Sequence, residues 1–487
     1  MKFTITLITC LVCGFMLNAN NIEVSNISLE NQNDIDNWVH VEFDINWENS
    51  WRVSSGPSNW DAAWVFVKYR INNGSWIHAS LDQSNTVAPS GSIVQVTSDG
   101  IGAMIHRSVD GIGAFALQDV QLQWNYGGIS PDDIIDIKVF AIEMVYVPQG
   151  QFYLGGSSGD EIDKFYAPPS TSSSYLVTSE NAITIANSTG NLYYASISSG
   201  GDQIGPVPDA FPKGFNAFYC MKYEVTQAQY IGFFNTLTPS QKEGRDPTDE
   251  DNKNSDDEFI RNSISWEEGT SSPATTQHPD VPMNYVNHGD VNAYLDWSGL
   301  RPMTELEFEK SCRGPIVPKP NEYAWGNANI ASEPYVVFSS GFPSEFINNP
   351  AESTGNANYL DTNGTTSGPK RVGIMAASAV NKSREETGGT YYGIMEMSGN
   401  VYERAVNVGT PRGRLFNGVH GNGIIGSTGN GTVVNWPLSS TGEGYGYRGG
   451  SYTNQTTFIR VSDRNDASNT FSGTNGRIGF RGVRTAE

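Results

Sequence analysis

The side chains best suited to chemistry lie in an acidic loop toward the C-terminal end of the chain. Glu396 and Glu403 flank Gly399 and Asn400, a pair that is typical of a tight turn. Carboxylates and the backbone carbonyls of tight turns are the hard oxygen ligands that Ca²⁺ prefers. The loop therefore predicts calcium binding. The alternative is a plain turn in which Glu403 pairs with an arginine such as Arg448.

The cysteines form a second candidate group. Cys10 and Cys13 lie in an apolar run at the N-terminus, which leaves Cys220 and Cys312 in the rest of the chain. In an oxidising compartment a single pair of cysteines most simply forms one disulfide. The alternative is two buried free thiols, because unoxidised cysteine packs as a small hydrophobic residue.

Other catalytic patterns are missing from the sequence. There is no His-Glu-x-x-His and no Gly-x-Ser-x-Gly elbow with usable partners. No two histidines have the spacing of metal ligands on a helix. The six are His40, His78, His106, His278, His288 and His420. Carboxylates are so common in this chain that acid–base chemistry stays open.

Composition and the N-terminus indicate an acidic, exported protein of two or three domains. The 487 residues carry 52 acidic and 30 basic side chains, a net charge of −22 that disfavours nucleic acid as a partner. Lys2 precedes an apolar run over 3–17, and Ala19 offers a cleavage site, so residues 1–20 are predicted to be a signal peptide. A lipid on Cys10 or Cys13 is disfavoured, because no small residue precedes either one. No later apolar run is long enough to predict a transmembrane segment.

Residues 21–142 show the alternation of half-buried strands. Apolar residues occur at every second position over 39–47 and 65–71, and again over 120–124 and 135–139. Asn73 and Gly74 are predicted to supply the positive φ angles of a hairpin turn. This pattern predicts an antiparallel β-sandwich. Seven of the eleven tryptophans lie here, and we expect core packing rather than sugar stacking for most of them.

Residues 143–487 combine short helices with long polar connections, so the whole chain is predicted to be α+β. Thr226 with Gln229 fits a capping box, and Thr304 with Glu307 fits another. A further helix is predicted over 290–297, ending at Gly299. A strand is predicted over 218–223. Loops as long as those that follow usually serve a function or are held by a metal.

Nine segments in this second part resemble a known family. They read MVYVPQGQF at 144–152, YEVT at 223–226, WSGLRPMTE at 297–305, EKSCRG at 309–314, WGN at 325–327, YGIMEMSGNVYE at 392–403, RGGS at 448–451, RVSDR at 460–464 and IGFR at 478–481. In this order they resemble the formylglycine-generating enzymes, also called sulfatase-modifying factors. The resemblance implies an irregular fold related to C-type lectins over 143–487.

One departure from the family argues against its oxidation chemistry in this chain. In the family enzymes, two cysteines between the RGGS motif and the GFR motif hold copper(I), because soft thiolates suit that ion. This chain has no cysteine there, so copper is not expected. Related branches of the family use iron held by clustered histidines, and this sequence has no such cluster. The resemblance places Cys312 at a structural disulfide position, with Cys220 as the replacement partner.

The resemblance assigns calcium ligands as well. The Glu396 and Glu403 side chains, with the carbonyls of Gly399 and Val401, correspond to one family site. Asn358 and Asp361 are the candidates for a second site.

The function predicted from all this is non-catalytic. We expect a calcium-stabilised component, secreted or at the cell surface, that binds a protein or glycan or has a structural role. Its candidate ligand-binding residues lie in a polar loop rich in Asn, Ser and Thr. They are Tyr452, Asn454, Asn465 and Asn469. The alternatives are a metal-dependent oxidase with a non-standard site, and a homo-oligomeric subunit of an envelope machine or filament whose sandwich edges pair.

Overall fold

The N-terminal part of the chain forms long strands. The computed structural model describes residues 22–130, 132–158, 163–195, 200–332, 334–361, 366–471 and 474–487, so the predicted signal peptide lies outside the described residues. The long strands and their short companions are β1 Glu23–Asn33, β2 Trp38–Arg52, β3 Asp61–Ile71, β4 Ile77–His78, β5 Leu81–Val87, β6 Ser92–Val96, β7 Ala103–Arg107, β8 Gly111–Asn125 and β9 Ile135–Val147.

The remaining elements are shorter. The strands are β10 Phe152–Leu154, β11 Phe165–Tyr166, β12 Tyr175–Val177, β13 Tyr193–Tyr194, β14 Phe218–Met221, β15 Arg301–Pro302, β16 Val337–Phe338, β17 Phe346–Ile347, β18 Tyr402–Val406, β19 Tyr445–Arg448, β20 Ile478–Gly479 and β21 Gly482–Thr485. The helices are α1 Gln227–Phe234, α2 Pro239–Glu243, α3 His288–Trp297, α4 Glu305–Arg313, α5 Ile374–Ser378 and α6 Pro411–Arg414. Strands and helices together confirm a mixed, strand-rich chain.

Two sheets enclose the N-terminal core. One has the strand order β1-β2-β8-β5, and all its pairings are antiparallel. Its apolar face, which includes Val41 and Phe43, packs against Val65 and Val67 of β3 in the second sheet. The alternating residues of β2 and β3 therefore point inward as their period predicted.

The hairpin turn after β3 lies one residue earlier than its sequence predicted. Asn72 and Asn73 have φ angles of 50° and 59°, and the Gly74 amide donates to the Ile71 carbonyl at 2.8 Å. Asparagine tolerates the left-handed region, so the turn does not need the glycine at its centre. The return strand β4 is only Ile77–His78.

The second sheet runs through the predicted domain boundary. Its order is β15-β21-β14-β9-β3-β7-β6, with β4 paired on β3. Strand β9 pairs along its length with β3, and its last residues pair with β14. The boundary predicted between residues 142 and 143 thus falls inside β9, and the two parts of the chain share one sheet.

Strand β3 has a core on each face. Ala63, Val65 and Val67 belong to the N-terminal core, whereas Trp64 and Phe66 belong to the large C-terminal core. Trp64 Nε1 also donates to the Ser298 carbonyl at 2.7 Å. A strand that is buried on both faces must be apolar at consecutive positions, as β3 is.

The C-terminal part is built on short helices whose ends follow local sequence. The capping boxes Thr226–Gln229 and Thr304–Glu307 are both present and begin α1 and α4. Helix α3 begins two residues before its predicted start, because Asn287 caps it. Beyond α4 the regular elements are few, and a three-stranded sheet of order β19-β18-β20 carries the acidic loop on its central strand.

No helix among the described residues is long and apolar enough to span a membrane.

Candidate functional site

The acidic loop approaches β18 in a tightly turned conformation. Glu396, Gly399 and Asn400 have φ angles of 56°, 91° and 66°. Positive φ is costly for a side chain as long as that of glutamate, so the surroundings must hold it in place. Asn400 Nδ2 donates to Glu224 Oε2 at 2.6 Å, and the Val401 amide donates to Glu224 Oε1 at 3.1 Å. Glu224, at the start of the YEVT segment, therefore anchors the loop.

Three buried carboxylates interact at this point. Glu224, Glu396 and Glu403 are shielded from water, and burial is the main cause that raises the pKa of each. Repulsion from Glu403 and Glu396 raises the pKa of Glu224 further. The pKa of Glu396 rises to about 7. The positive charge of Arg481 lowers the pKa of Glu396, but burial outweighs it, so a proton on one of these carboxyls is favoured near neutral pH.

One arginine offsets part of this charge. Arg481 Nε lies 2.6 Å from Glu403 Oε1, and neither side chain is exposed to solvent. The same guanidinium donates to the carbonyls of Met221 at 3.1 Å and Met395 at 3.0 Å. It thereby joins β14, the acidic loop and β18.

Glu403 pairs with an arginine, as the plain-turn alternative expected, but the partner is Arg481 and not Arg448. Arg448 pairs with Glu305 at 2.9 Å and with Glu309 at 2.8 Å, both on α4. Glu305 and Glu309 are one turn apart on α4, and both accept hydrogen bonds from the Arg448 guanidinium, which is therefore not available to Glu403.

Two carboxylate oxygens of the cluster are unsatisfied within the described part of the chain. Glu396 Oε2 and Glu403 Oε2 are buried and have no hydrogen-bond partner. A buried oxygen without a partner is costly, and a hard cation would satisfy it. The described residues contain no group of three His, Cys, Asp or Glu side chains arranged to hold a metal, so a calcium ion here would need backbone carbonyls as well. Glu396 and Glu403 would supply the side-chain oxygens of such a set, and the family resemblance assigns the carbonyls of Gly399 and Val401 to it.

The second predicted calcium set, Asn358 and Asp361, combines an ion-paired carboxylate with Asn358 Oδ1, a buried acceptor that has no hydrogen-bond partner among the described residues. Lys370 Nζ lies 2.7 Å from Asp361 Oδ2, with both side chains fully buried. The ammonium group supplies one positive charge there, as the Arg481 guanidinium does at Glu403. Asn358 Nδ2 donates to Asn400 Oδ1 at 3.0 Å, so this residue helps to hold the acidic loop.

Cys220 and Cys312 are free thiols in the structure, in place of the expected disulfide. They lie on β14 and α4 within one hydrophobic cluster that includes Val145 and Phe308. Burial raises the pKa of Cys220 to about 12 and also raises the pKa of Cys312. Both sulfurs therefore stay protonated and pack as small apolar groups.

The predicted ligand-binding residues are largely committed to their own loop. The Tyr452 side chain is buried. Asn454 Oδ1 accepts the Ser451 amide at 2.9 Å, and Asn469 Nδ2 donates to Asp466 Oδ1 at 3.0 Å. Asn465 is half-buried in the turn between them. The structure brings these residues into one loop, but most of their polar groups hold the turns of that loop.

Sequence reasoning missed Glu224 and Arg481 as members of the site. Both lie in segments that carried the family resemblance, YEVT and IGFR. The signal was a charged residue close to the end of a strand, Glu224 after β14 and Arg481 between β20 and β21, where an unpaired charge is rare.

Comparison with known proteins identifies the family of this chain. A family model described as the sulfatase-modifying factor enzyme 1-like domain matches residues 138–486, and the chain belongs to that family. The formylglycine-generating enzyme of Bos taurus is 30% identical over 129 residues, which cover 23% of this chain and 34% of that enzyme. The hercynine oxygenase of Mycolicibacterium thermoresistibile is 39% identical over 51 residues, 10% of this chain and 11% of that enzyme. The chain thus spans about a third and about a tenth of the two relatives' lengths.

Proposed function

We propose that this chain is a non-catalytic member of the family, exported from the cell, that acts by binding. The observation that carries the proposal is the state of its thiols. Cys220 and Cys312 are buried with raised pKa values, and neither lies between residues 451 and 478, where the resemblance expects a copper-binding pair. Both thiols are fully buried among apolar side chains, which is the environment of structural rather than reactive cysteines.

Iron chemistry of the kind that the hercynine oxygenase name suggests receives no support from the histidines. All six lie among the described residues, and they take part in no metal-ligand group there. His78 and His420, for example, are half-buried. Each of these rings also has a backbone partner, since His78 Nε2 contacts the Ile101 carbonyl and His420 Nε2 accepts from the Thr485 amide.

Export, calcium and the lectin-like fold belong to the same proposal. Export is supported by the apolar run that follows Lys2. A stabilising calcium ion is supported by the unsatisfied oxygens of Glu396 and Glu403. The lectin-like fold is supported by long irregular connections attached to small sheets.

The filament alternative is less favoured by the edges of the four-stranded sheet. Strand β1 has register irregularities between Ser25 and Ser28 and between Glu30 and Asn33. The other edge strand, β5, has one between Asp82 and Val87. Bulged edges resist pairing with another copy.

Incubation with a sulfatase-derived cysteine peptide, copper and reductant tests the proposal. We expect mass spectrometry to find no formylglycine in the peptide, either with the wild-type chain or with the Cys312→Ala variant. Turnover by the wild-type chain would overturn the non-catalytic proposal. Its loss in Cys312→Ala, in a variant that keeps its thermal transition, would favour an oxidase with a relocated site.

A further inference from the structure

A cavity of about 640 Å³ lies where the N-terminal strands meet the family domain. One wall is formed by residues from Glu48 to Asn59, at the end of β2 and the connection to β3. The other wall comes mainly from residues between Gly373 and Met395. The family match begins at residue 138, so the first wall lies outside the part of the chain that the family shares. The cavity is therefore a feature that the N-terminal strands add to the domain.

The two walls are held together firmly. Asn59 Nδ2 donates to the Tyr392 carbonyl at 2.7 Å, and both residues are buried. Gly393 lies so close to Trp51 that a Cβ on it would be 3.0 Å from the indole ring. A preformed cavity of this size, between two structural units, has the dimensions and the position of ligand sites in other proteins.

Aromatic side chains line the cavity. Trp51, Tyr223, Tyr391 and Tyr392 contribute to its surface. Trp47, Trp64 and Trp124 are fully buried in the cores, as expected, but Trp51 is only half-buried. Such rings combine a flat apolar surface with a polar edge, which suits the C–H faces and hydroxyls of sugar rings.

The lining is cationic although the chain is strongly acidic. Lys222, Lys382 and Arg384 line the cavity, against the single carboxylate of Glu48. Lys222 is paired with Glu143 at 2.9 Å, and its Nζ lies 5.2 Å from the centre of the Trp51 ring, so only the rest of that indole is open to a ligand. Arg384 donates to the backbone carbonyls of Gly389, Cys312 and Ala324. Lys382 is exposed at the rim. With Lys222 paired, Lys382 and Arg384 against Glu48 leave an excess of one positive charge, which favours an anion in a chain of net charge −22.

We propose that this cavity binds an anionic saccharide, one that bears carboxylate or sulfate groups. Trp51 supplies the surface on which a sugar ring packs, and Lys382 with Arg384 attracts the acidic group. The inference rests on the proposed binding function and names the ligand class and the place where it binds.

The test is isothermal titration of the full mature protein with four probes: a galacturonate oligosaccharide, a sulfated heparin fragment, a neutral maltooligosaccharide and a glutamate-rich peptide. We expect one or both anionic saccharides to bind, with the difference between them identifying the acidic group. Trp51→Ala and Lys382→Glu should each weaken that binding about tenfold or more, the loss of one stacking or charge contact. Trp51→Phe should retain most of it.

The matched control is Trp76→Ala. Trp76 is a half-buried tryptophan in the connection between β3 and β4, packed beside Arg70 and Lys138 and outside the cavity lining. Its loss should leave binding unchanged. The inference is overturned if the anionic saccharides do not bind, if the neutral sugar or the peptide binds better, or if Trp76→Ala weakens binding as much as Trp51→Ala. None of these results depends on the formylglycine assay, so the two proposals can fail separately.

Discussion

The buried carboxylates should make stability fall as pH rises when calcium is absent. The pKa of Glu396 increases on folding from its ordinary value of 4.5 to about 7. Between these values the folded chain holds a proton that the unfolded chain has released, so the free energy of unfolding decreases with pH. At about 1.4 kcal/mol for each tenfold change in proton affinity, the decrease amounts to about 3 kcal/mol. The full effect is present below about pH 4.5 and is lost above about pH 7.

Glu396→Gln removes this titration, because glutamine does not titrate, and it also removes a charge that raises the pKa of Glu224. We expect the wild-type chain to lose about 3 kcal/mol more than the variant between about pH 5 and about pH 8, both in chelator. Urea unfolding followed by tryptophan fluorescence measures both slopes. A difference in slopes, unlike a single stability value, is unaffected by any constant cost of burying the amide. Glu352→Gln, at an exposed glutamate, is the control that should follow the wild type.

Calcium should reverse the behaviour of the wild-type chain only. The ion binds ionised carboxylates, so it should add stability toward high pH and release protons on binding. Parallel slopes for the wild type and Glu396→Gln in chelator would refute the reasoning about the buried cluster. Equal stabilisation of both by calcium would place the ion elsewhere.

Three further predictions concern the pairs and packing that hold the site. Arg481→Met should lower the free energy of unfolding by about 3–5 kcal/mol in a urea titration, because it leaves the Glu403 carboxylate buried without its partner. The control Arg70→Met removes a partly exposed pair with Asp136 and should cost less than about 1 kcal/mol in the same titration. Equal losses in the two variants would contradict the argument. Trp64→Ala should cost about 3–5 kcal/mol within one cooperative transition seen by both circular dichroism and fluorescence, whereas two separate transitions would show that the shared sheet does not couple the two parts. A thiol reagent applied without reductant to the chain lacking residues 1–20 should label neither Cys220 nor Cys312 until denaturant is added; no labelling in denaturant would reveal a disulfide instead.

Local structure could be predicted well because local interactions decide it. The capping boxes at Thr226 and Thr304 begin helices in the structure, and the alternation over 39–47 is a strand with one buried face. The turn after β3 was misplaced by one residue, because asparagine and glycine both tolerate the positive φ that such a turn needs.

Long-range pairing could not be predicted from the sequence. Strand β9 looks like the last strand of one domain, and only its pairing with both β3 and β14 shows that the sheet continues. The Asp361–Lys370 pair and the free thiols were equally hidden, since spacing along a chain does not determine which buried groups meet.

The sequence by itself determined the family, the acidic character of the chain and the position of the acidic loop, because ordered motifs and composition do not depend on folding contacts. The tertiary structure decided which charges are satisfied. It placed Arg481 on Glu403 and left Oε2 of Glu396 without a partner. It also formed a cavity from two distant segments. Burial and proximity arise only when the chain is folded, and they are what turn three ordinary glutamates into a cluster that favours a proton or a cation.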